Sequence, residues 1–83
     1  MNNAGYSRSI WLMLLKEGGR WTNAEIAVDV RCPKVNEYTR QMVESGSLVR
    51  YEGAAGFAHG VTEECMVPRG LRLSDITKAK GPL

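Results

Sequence analysis

Residues 20–27 read Arg-Trp-Thr-Asn-Ala-Glu-Ile-Ala, and this stretch decides the fold. Thr22 is a favourable N-cap, because its hydroxyl oxygen can accept a hydrogen bond from an amide of the first helical turn. Glu25 follows three residues later, where a carboxylate can reach back to the N-cap amide and complete a capping box. The pattern predicts a short strand followed by a helix from Asn23 to about Val30.

A second helical pattern follows almost at once, over residues 34–45. Residues 31–33 are predicted to form the turn, and Pro33 to start the next helix, because its fixed φ suits a first helical position. Gly46 is predicted to end that helix in the left-handed conformation. Two short helices joined this tightly must cross at a steep angle, which is the helix-turn-helix arrangement.

One further helix and a hairpin are predicted on either side of this unit. The first helix is expected to run from a Ser7 cap to about Glu17. A strand over residues 47–52 is followed by a turn at 53–56. The return strand is placed at residues 57–58 or, more convincingly, at 64–67.

The expected division of the chain follows from these elements. We predict a frayed N-terminus at residues 1–6, a domain over 7–68, and a basic, partly disordered tail over 69–83 in which Ser74 caps a short turn. The fold class is α+β and mainly α, with a three-helix core and a wing of two or three antiparallel strands.

Length and composition are those of one small globular domain. The chain has 83 residues, of which 43% are hydrophobic and 24% charged. The longest apolar run, over residues 10–15, is far shorter than the ~20 residues that span a bilayer, and the N-terminus lacks the layout of a signal peptide. We therefore expect a cytoplasmic protein without membrane contact.

The charge is unevenly distributed. Residues 1–68 carry seven Lys or Arg and eight Asp or Glu, hence −1, whereas residues 69–83 carry four basic residues and Asp75, hence +3. The loop over residues 53–60 contains no Lys or Arg. Any non-specific grip on an anionic partner is therefore predicted to come from the tail, through its basic residues Arg69, Arg72, Lys78 and Lys80.

No catalytic or metal-binding pattern is present in the sequence. Cys32, Cys65 and His59 have no recognisable ligand spacing, and the cysteines are expected to be small apolar residues. The consecutive carboxylates Glu63 and Glu64 would point to opposite faces of a strand and could not act as a pair. We expect no enzyme activity, no cofactor, no metal and no small-molecule ligand.

Four aromatic residues are predicted to pack inside the domain rather than to stack on nucleic-acid bases; they are Trp11, Trp21, Tyr51 and Phe57. Trp21 in particular should fill the space between the short strand and the hairpin, where its indole N–H needs a hydrogen-bond acceptor.

The order helix, strand, helix, turn, helix, glycine and hairpin resembles the winged helix-turn-helix domain of bacterial and phage transcription regulators. The resemblance is carried by residues 14–19, by the Thr-x-x-Glu-Ile-Ala element at 22–27, and by 35–50. It implies a small regulator that binds double-stranded DNA, with its third helix in the major groove and its hairpin on the sugar-phosphate backbone. A domain this small would need a homodimer or its tail for useful affinity.

The DNA-binding residues are predicted on the third helix and in the tail, because these side chains can contact base edges or phosphates. They are Lys34, Asn36, Glu37, Tyr38, Arg40, Gln41, Arg69 and Arg72. The alternative is a winged-helix module that binds or assembles proteins without DNA, which an exposed apolar patch including Leu12 or the uncharged wing would favour.

Overall fold

The computed structural model describes residues 3–54 and 56–80. Within them the chain forms an α+β fold of four helices and one three-stranded antiparallel sheet, so the predicted α+β class is confirmed. The helices are α1 (Asn3–Glu17), α2 (Asn23–Val30), α3 (Val35–Glu44) and α4 (Leu73–Lys80), and the strands are β1 (Trp21–Thr22), β2 (Val49–Gly53) and β3 (Gly56–Gly60).

Thr22 is both the last residue of β1 and the N-cap of α2. The Glu25 amide donates to the Thr22 hydroxyl oxygen at 3.2 Å, and the Thr22 amide donates to the Glu25 carboxylate at 2.9 Å. The predicted capping box is therefore confirmed. It fixes the direction in which α2 leaves the sheet.

The strand order is β1-β3-β2, with β3 in the centre. Trp21 pairs with His59 and Thr22 with Ala58, while β2 and β3 pair from Val49↔Gly60 to Gly53↔Gly56. The preferred placement of the return strand at residues 64–67 is wrong. The tight connection after Gly53 brings residues 56–60 alongside β2, where they pair with it. A turn in which the Cys65 amide donates to the Thr62 carbonyl then leads residues 64–67 away from the sheet.

The turn between α2 and α3 contains two non-glycine residues with positive φ, Arg31 at 56° and Lys34 at 53°. Pro33 does not start α3, because the left-handed Lys34 separates it from the first helical residue, Val35. Gly46, at a φ of 86°, follows α3 as predicted. The turn is thus compact, and its backbone is strained at both basic residues.

The core lies between α1, α2, α3 and the start of β2; its buried apolar residues are Ile10, Trp11, Leu14, Ile26, Cys32, Val35, Met42 and Leu48. Thr39 is also buried, on the inner face of α3. Its hydroxyl donates to the Asn23 side-chain oxygen at 2.9 Å. This bond joins the start of α2 to the middle of α3. Together with a longer bond of 3.3 Å to the Asn36 carbonyl, it satisfies a polar group that is costly to bury unpaired.

Both ends of the described chain are more helical than predicted. Helix α1 begins at Asn3 rather than at Ser7, since the Tyr6 ring packs edge-on against Tyr38 at 5.4 Å between centroids and gives the extra turn a partner. In the predicted tail, α4 covers Leu73–Lys80 and Ile76 packs against the core. Ser74 is not its N-cap.

Glycine at position 31 should stabilise the domain. A side chain in the left-handed region costs about 1–2 kcal/mol, part of which the greater freedom of glycine in the unfolded chain offsets. We expect Arg31→Gly to raise the free energy of unfolding by about 0.5–1 kcal/mol in urea denaturation. The matched control Arg40→Gly, in the exposed face of α3, should lower it by about 1 kcal/mol. A loss in both variants would contradict the strain at Arg31.

Trp21 should contribute strongly to stability. Its ring is half-buried against the core, and its indole N–H donates to the Gly18 carbonyl at 2.9 Å. We expect Trp21→Ala to lower the free energy of unfolding by roughly 3 kcal/mol, and Trp21→Phe, which keeps a ring but loses the hydrogen bond, by about 1 kcal/mol. Equal small losses in the two variants would show that the ring does not pack.

Candidate nucleic-acid interface

Helix α3 presents one buried and one exposed face. Val35, Thr39 and Met42 are buried, at the three- and four-residue spacing of one helix face. Its exposed residues are Asn36, Glu37, Arg40, Gln41 and Glu44. The helix therefore offers a continuous polar surface that packing leaves open to a partner.

The acidic residues of this face lie at its centre, a feature that was not predicted from the sequence. With about 100° between successive residues, Glu37 and Glu44 lie along the middle of the face. Arg40 lies on one side of them and Gln41 on the other. The centre is acidic, so a nucleic-acid backbone would be attracted by groups at the edges.

Tyr38 is not on the open face. It is half-buried and its ring is used in the edge-on contact with Tyr6. Burial is the first cause that raises the pKa of the Tyr38 hydroxyl. The aromatic ring therefore holds α1 against α3 rather than facing solvent.

Gln41 and Arg69 are the predicted residues that the fold brings together from distant parts of the chain. They line one concavity of about 410 Å³, with Ser7 at its α1 side and Ser45 beyond the end of α3. Lys34 is exposed one residue before α3, and Arg72 is exposed immediately before α4, where its amide donates to the Asp75 carboxylate at 3.1 Å. The side chains of Lys78 and Lys80 lie outside the described part of the chain.

The hairpin carries a basic residue that the sequence analysis missed. Arg50 is exposed on β2, and its guanidinium lies 4.8 Å from the centroid of the Phe57 ring, a cation–π distance. The register explains the contact, because Arg50 pairs with His59 and Phe57 is its diagonal neighbour on the same face. Counting the strand with the loop would have identified Arg50 as a wing cation.

Of the four aromatic residues that were predicted to pack inside the domain, Phe57 does not lie in the position expected. Trp11 is buried and Trp21 half-buried, as predicted, but Phe57 is 48% exposed beneath Arg50. Tyr51 is half-buried, with the Arg20 guanidinium 4.0 Å from its ring centroid. Phe57 lies near the open end of the hairpin, where no helix covers it, and this explains why its packing was predicted wrongly.

His59 is buried on β3, and neither ring nitrogen has a hydrogen-bond partner among the described residues. Burial first, and then the nearby Arg50 charge, lower the pKa of His59 below its ordinary value. The folded protein therefore holds the imidazole neutral. Cys32 is also buried, which raises the pKa of its thiol and makes it an inert packing group.

In residues 3–54 and 56–80, no group of three or more His, Cys, Asp or Glu side chains could hold a metal ion. None of the helices in that part of the chain is both long and apolar enough to cross a membrane. Leu12 is half-buried against the core, so it does not form an exposed apolar patch.

Comparison with protein-family models, with curated proteins and with solved structures gives no match.

The buried imidazole should make stability depend on pH. Because the pKa of His59 is lower in the folded protein, the unfolded chain takes up a proton first as the pH falls below about 6.5. The free energy of unfolding should then decrease, whereas above that pH this group has no effect. In urea denaturation at about pH 7.5 and 5.5, His59→Leu should lose less stability than the parent. The same loss in both proteins would contradict this role.

Proposed function

We propose that this chain is a non-catalytic, winged helix-turn-helix DNA-binding module of a small transcription regulator. Helix α3 would enter the major groove of double-stranded DNA, and the β2–β3 hairpin would form the wing. The observation that carries the proposal is the exposed polar face of α3, the second helix of a tightly turned helix pair.

The connectivity supports this arrangement. The capped helix α2, the four-residue turn and α3 are followed by a hairpin whose strand β3 pairs with β1, the strand immediately before α2. The sheet is thereby attached at the start of the helix pair. In a domain built this way, a groove-reading helix and a wing can contact one duplex from the same side.

The side chains on α3 match the chemistry of base edges. Arg40 suits guanine O6 and N7, Asn36 and Gln41 suit adenine N6 and N7, and Glu37 can accept from cytosine N4. Each is exposed and free of the packing that holds Tyr38. We propose these four residues as the reading set, and Lys34, Arg69 and Arg72 as backbone contacts.

Affinity must come largely from outside α3. The helix carries one arginine against two glutamates on its exposed face, which disfavours approach to DNA in the absence of other cations. A homodimer on a repeated half-site would double the number of phosphate contacts. We therefore propose that the functional unit is a dimer.

A second candidate is a protein-interaction module, favoured by the outer side of α2. Val28 is 80% exposed there, beside a concavity of about 410 Å³ lined by Trp21, Ala24, Glu25 and Asp29. An exposed apolar residue next to a half-buried tryptophan is typical of a partner surface. Under this reading, Val28→Glu would abolish assembly and changes in α3 would not.

The test is binding to a duplex site selected from a random pool, followed by fluorescence anisotropy. We expect Asn36→Ala and Arg40→Ala each to weaken binding by about 1–3 kcal/mol without unfolding the domain. Lys16→Ala, at the exposed end of α1, is the control and should bind as the parent does. Unchanged affinity in both α3 variants would exclude α3 as the reading helix, and an absence of DNA binding even at ~50 mM salt would favour the protein-interaction module.

A further inference from the structure

The concavity beside α3 is formed by three segments that are far apart in sequence. Helix α1 contributes Ser7, the end of α3 contributes Gln41 and Ser45, and the stretch after the sheet contributes residues 66–69. Amide, hydroxyl and guanidinium groups that can donate hydrogen bonds thus border one depression. It adjoins the Gln41 edge of the proposed reading face.

Arg8 follows Ser7 on α1, and its guanidinium reaches the backbone of Arg69, a residue that lines the depression. The Arg8 guanidinium donates a long hydrogen bond of 3.5 Å to the Arg69 carbonyl. It also lies against Gly70, where a Cβ atom would come within 2.7 Å of the Arg8 Nη1 atom. Gly70, at a φ of 87°, therefore allows Arg8 to approach the backbone that carries Arg69.

Neither arginine is neutralised inside the described part of the chain. Among residues 3–54 and 56–80, no carboxylate lies within 4.0 Å of either guanidinium to form an ion pair. A guanidinium without a counter-charge attracts an anion, and the Arg8 guanidinium is held against the backbone of the residue that carries the other one. The acidic residues Glu37 and Glu44 lie on the adjacent face of α3 and leave this edge basic.

The position at the edge of α3 indicates which part of DNA would be met there. The major groove is ≈ 12 Å wide and an α-helix fills it, so groups beyond the edge of the reading face meet the sugar-phosphate strands rather than base edges. Contacts to phosphate set register and orientation and carry no direct sequence information.

We propose that Arg8, held against the backbone of Arg69 and Gly70, binds one DNA backbone phosphate together with the exposed side chain of Arg69, beside the depression that Gln41 borders. The inference rests on the proposed function and adds to it a phosphate site built partly from α1. It also explains how an acidic reading face can approach DNA, because the attraction is supplied at its edge.

The experiment measures how the affinity of the full chain for its selected duplex depends on KCl concentration. Loss of one phosphate contact should lower the magnitude of the slope of log affinity against log salt by about 0.9. We expect this decrease in Arg69→Gln, in Arg8→Gln and in the double variant alike, because both side chains hold the same phosphate. Affinity should fall for all duplexes, with their order of preference unchanged. Lys16→Gln, which removes the same charge at the other end of α1, should keep the parental slope.

Each other result overturns the site. A parental slope in the double variant excludes a phosphate contact, and a decrease of about 1.8 indicates two separate phosphates. If affinity falls for one duplex sequence and not for the others, the residue contacts a base and not a phosphate. If the double variant unfolds, the salt slope of Arg69→Gln alone tests the site. This variant should stay folded, because the Arg69 side chain is exposed and it is the Arg69 backbone carbonyl that accepts the bond from Arg8. If the parent does not bind DNA, both the proposed function and this site are wrong. If DNA binding depends on Asn36 and Arg40 but the salt slope of Arg69→Gln equals that of the parent, only the phosphate site is wrong.

Discussion

The junction at Thr22 is the constraint on which the remaining structure depends. One residue pairs with Ala58 in the sheet, caps α2 through its hydroxyl and receives the Glu25 carboxylate on its amide. Sheet and helix pair therefore share a rigid attachment rather than a linker. Because the hairpin is held through β1, its orientation relative to α2 follows from hydrogen bonds of two adjacent peptide units. The direction of α3 then depends on the short turn and on packing.

A buried polar contact completes the positioning of α3. The buried Thr39 hydroxyl is satisfied by the Asn36 carbonyl of its own helix at 3.3 Å and, across the helix pair, by the Asn23 side-chain oxygen at 2.9 Å. The bond to Asn23 has a direction, unlike the surrounding apolar contacts, and so it selects one rotation of α3 about its axis. The edge-on contact between Tyr6 and Tyr38 holds α3 against α1. Together they determine which residues of α3 face outward.

In the proposed interface, the side chains that would contact bases are separate from the cations that would attract the DNA backbone. The middle of α3 carries hydrogen-bonding side chains with a local negative charge, whereas Arg8 and Arg69 lie at one edge and Arg50 on the hairpin. A protein whose net charge is only +2 can bind a polyanion if its cations are placed where phosphates pass. The positive φ angles of Arg31 and Lys34 add backbone strain in the turn that leads into α3.

The sequence by itself determined the elements whose causes are local. The capping box of α2, the apolar spacing of α3 and the end of that helix before Gly46 depend on neighbours within a few residues. Tertiary structure decided the choice between return strands, the helical state of residues 3–6 and 73–80, and the exposure of Phe57. It also brought Arg8 to Arg69, 61 positions apart, at the edge of α3. These outcomes depend on which surfaces meet after folding. Periodicity along the chain predicts which face of an element is buried, but it does not predict which other element covers that face.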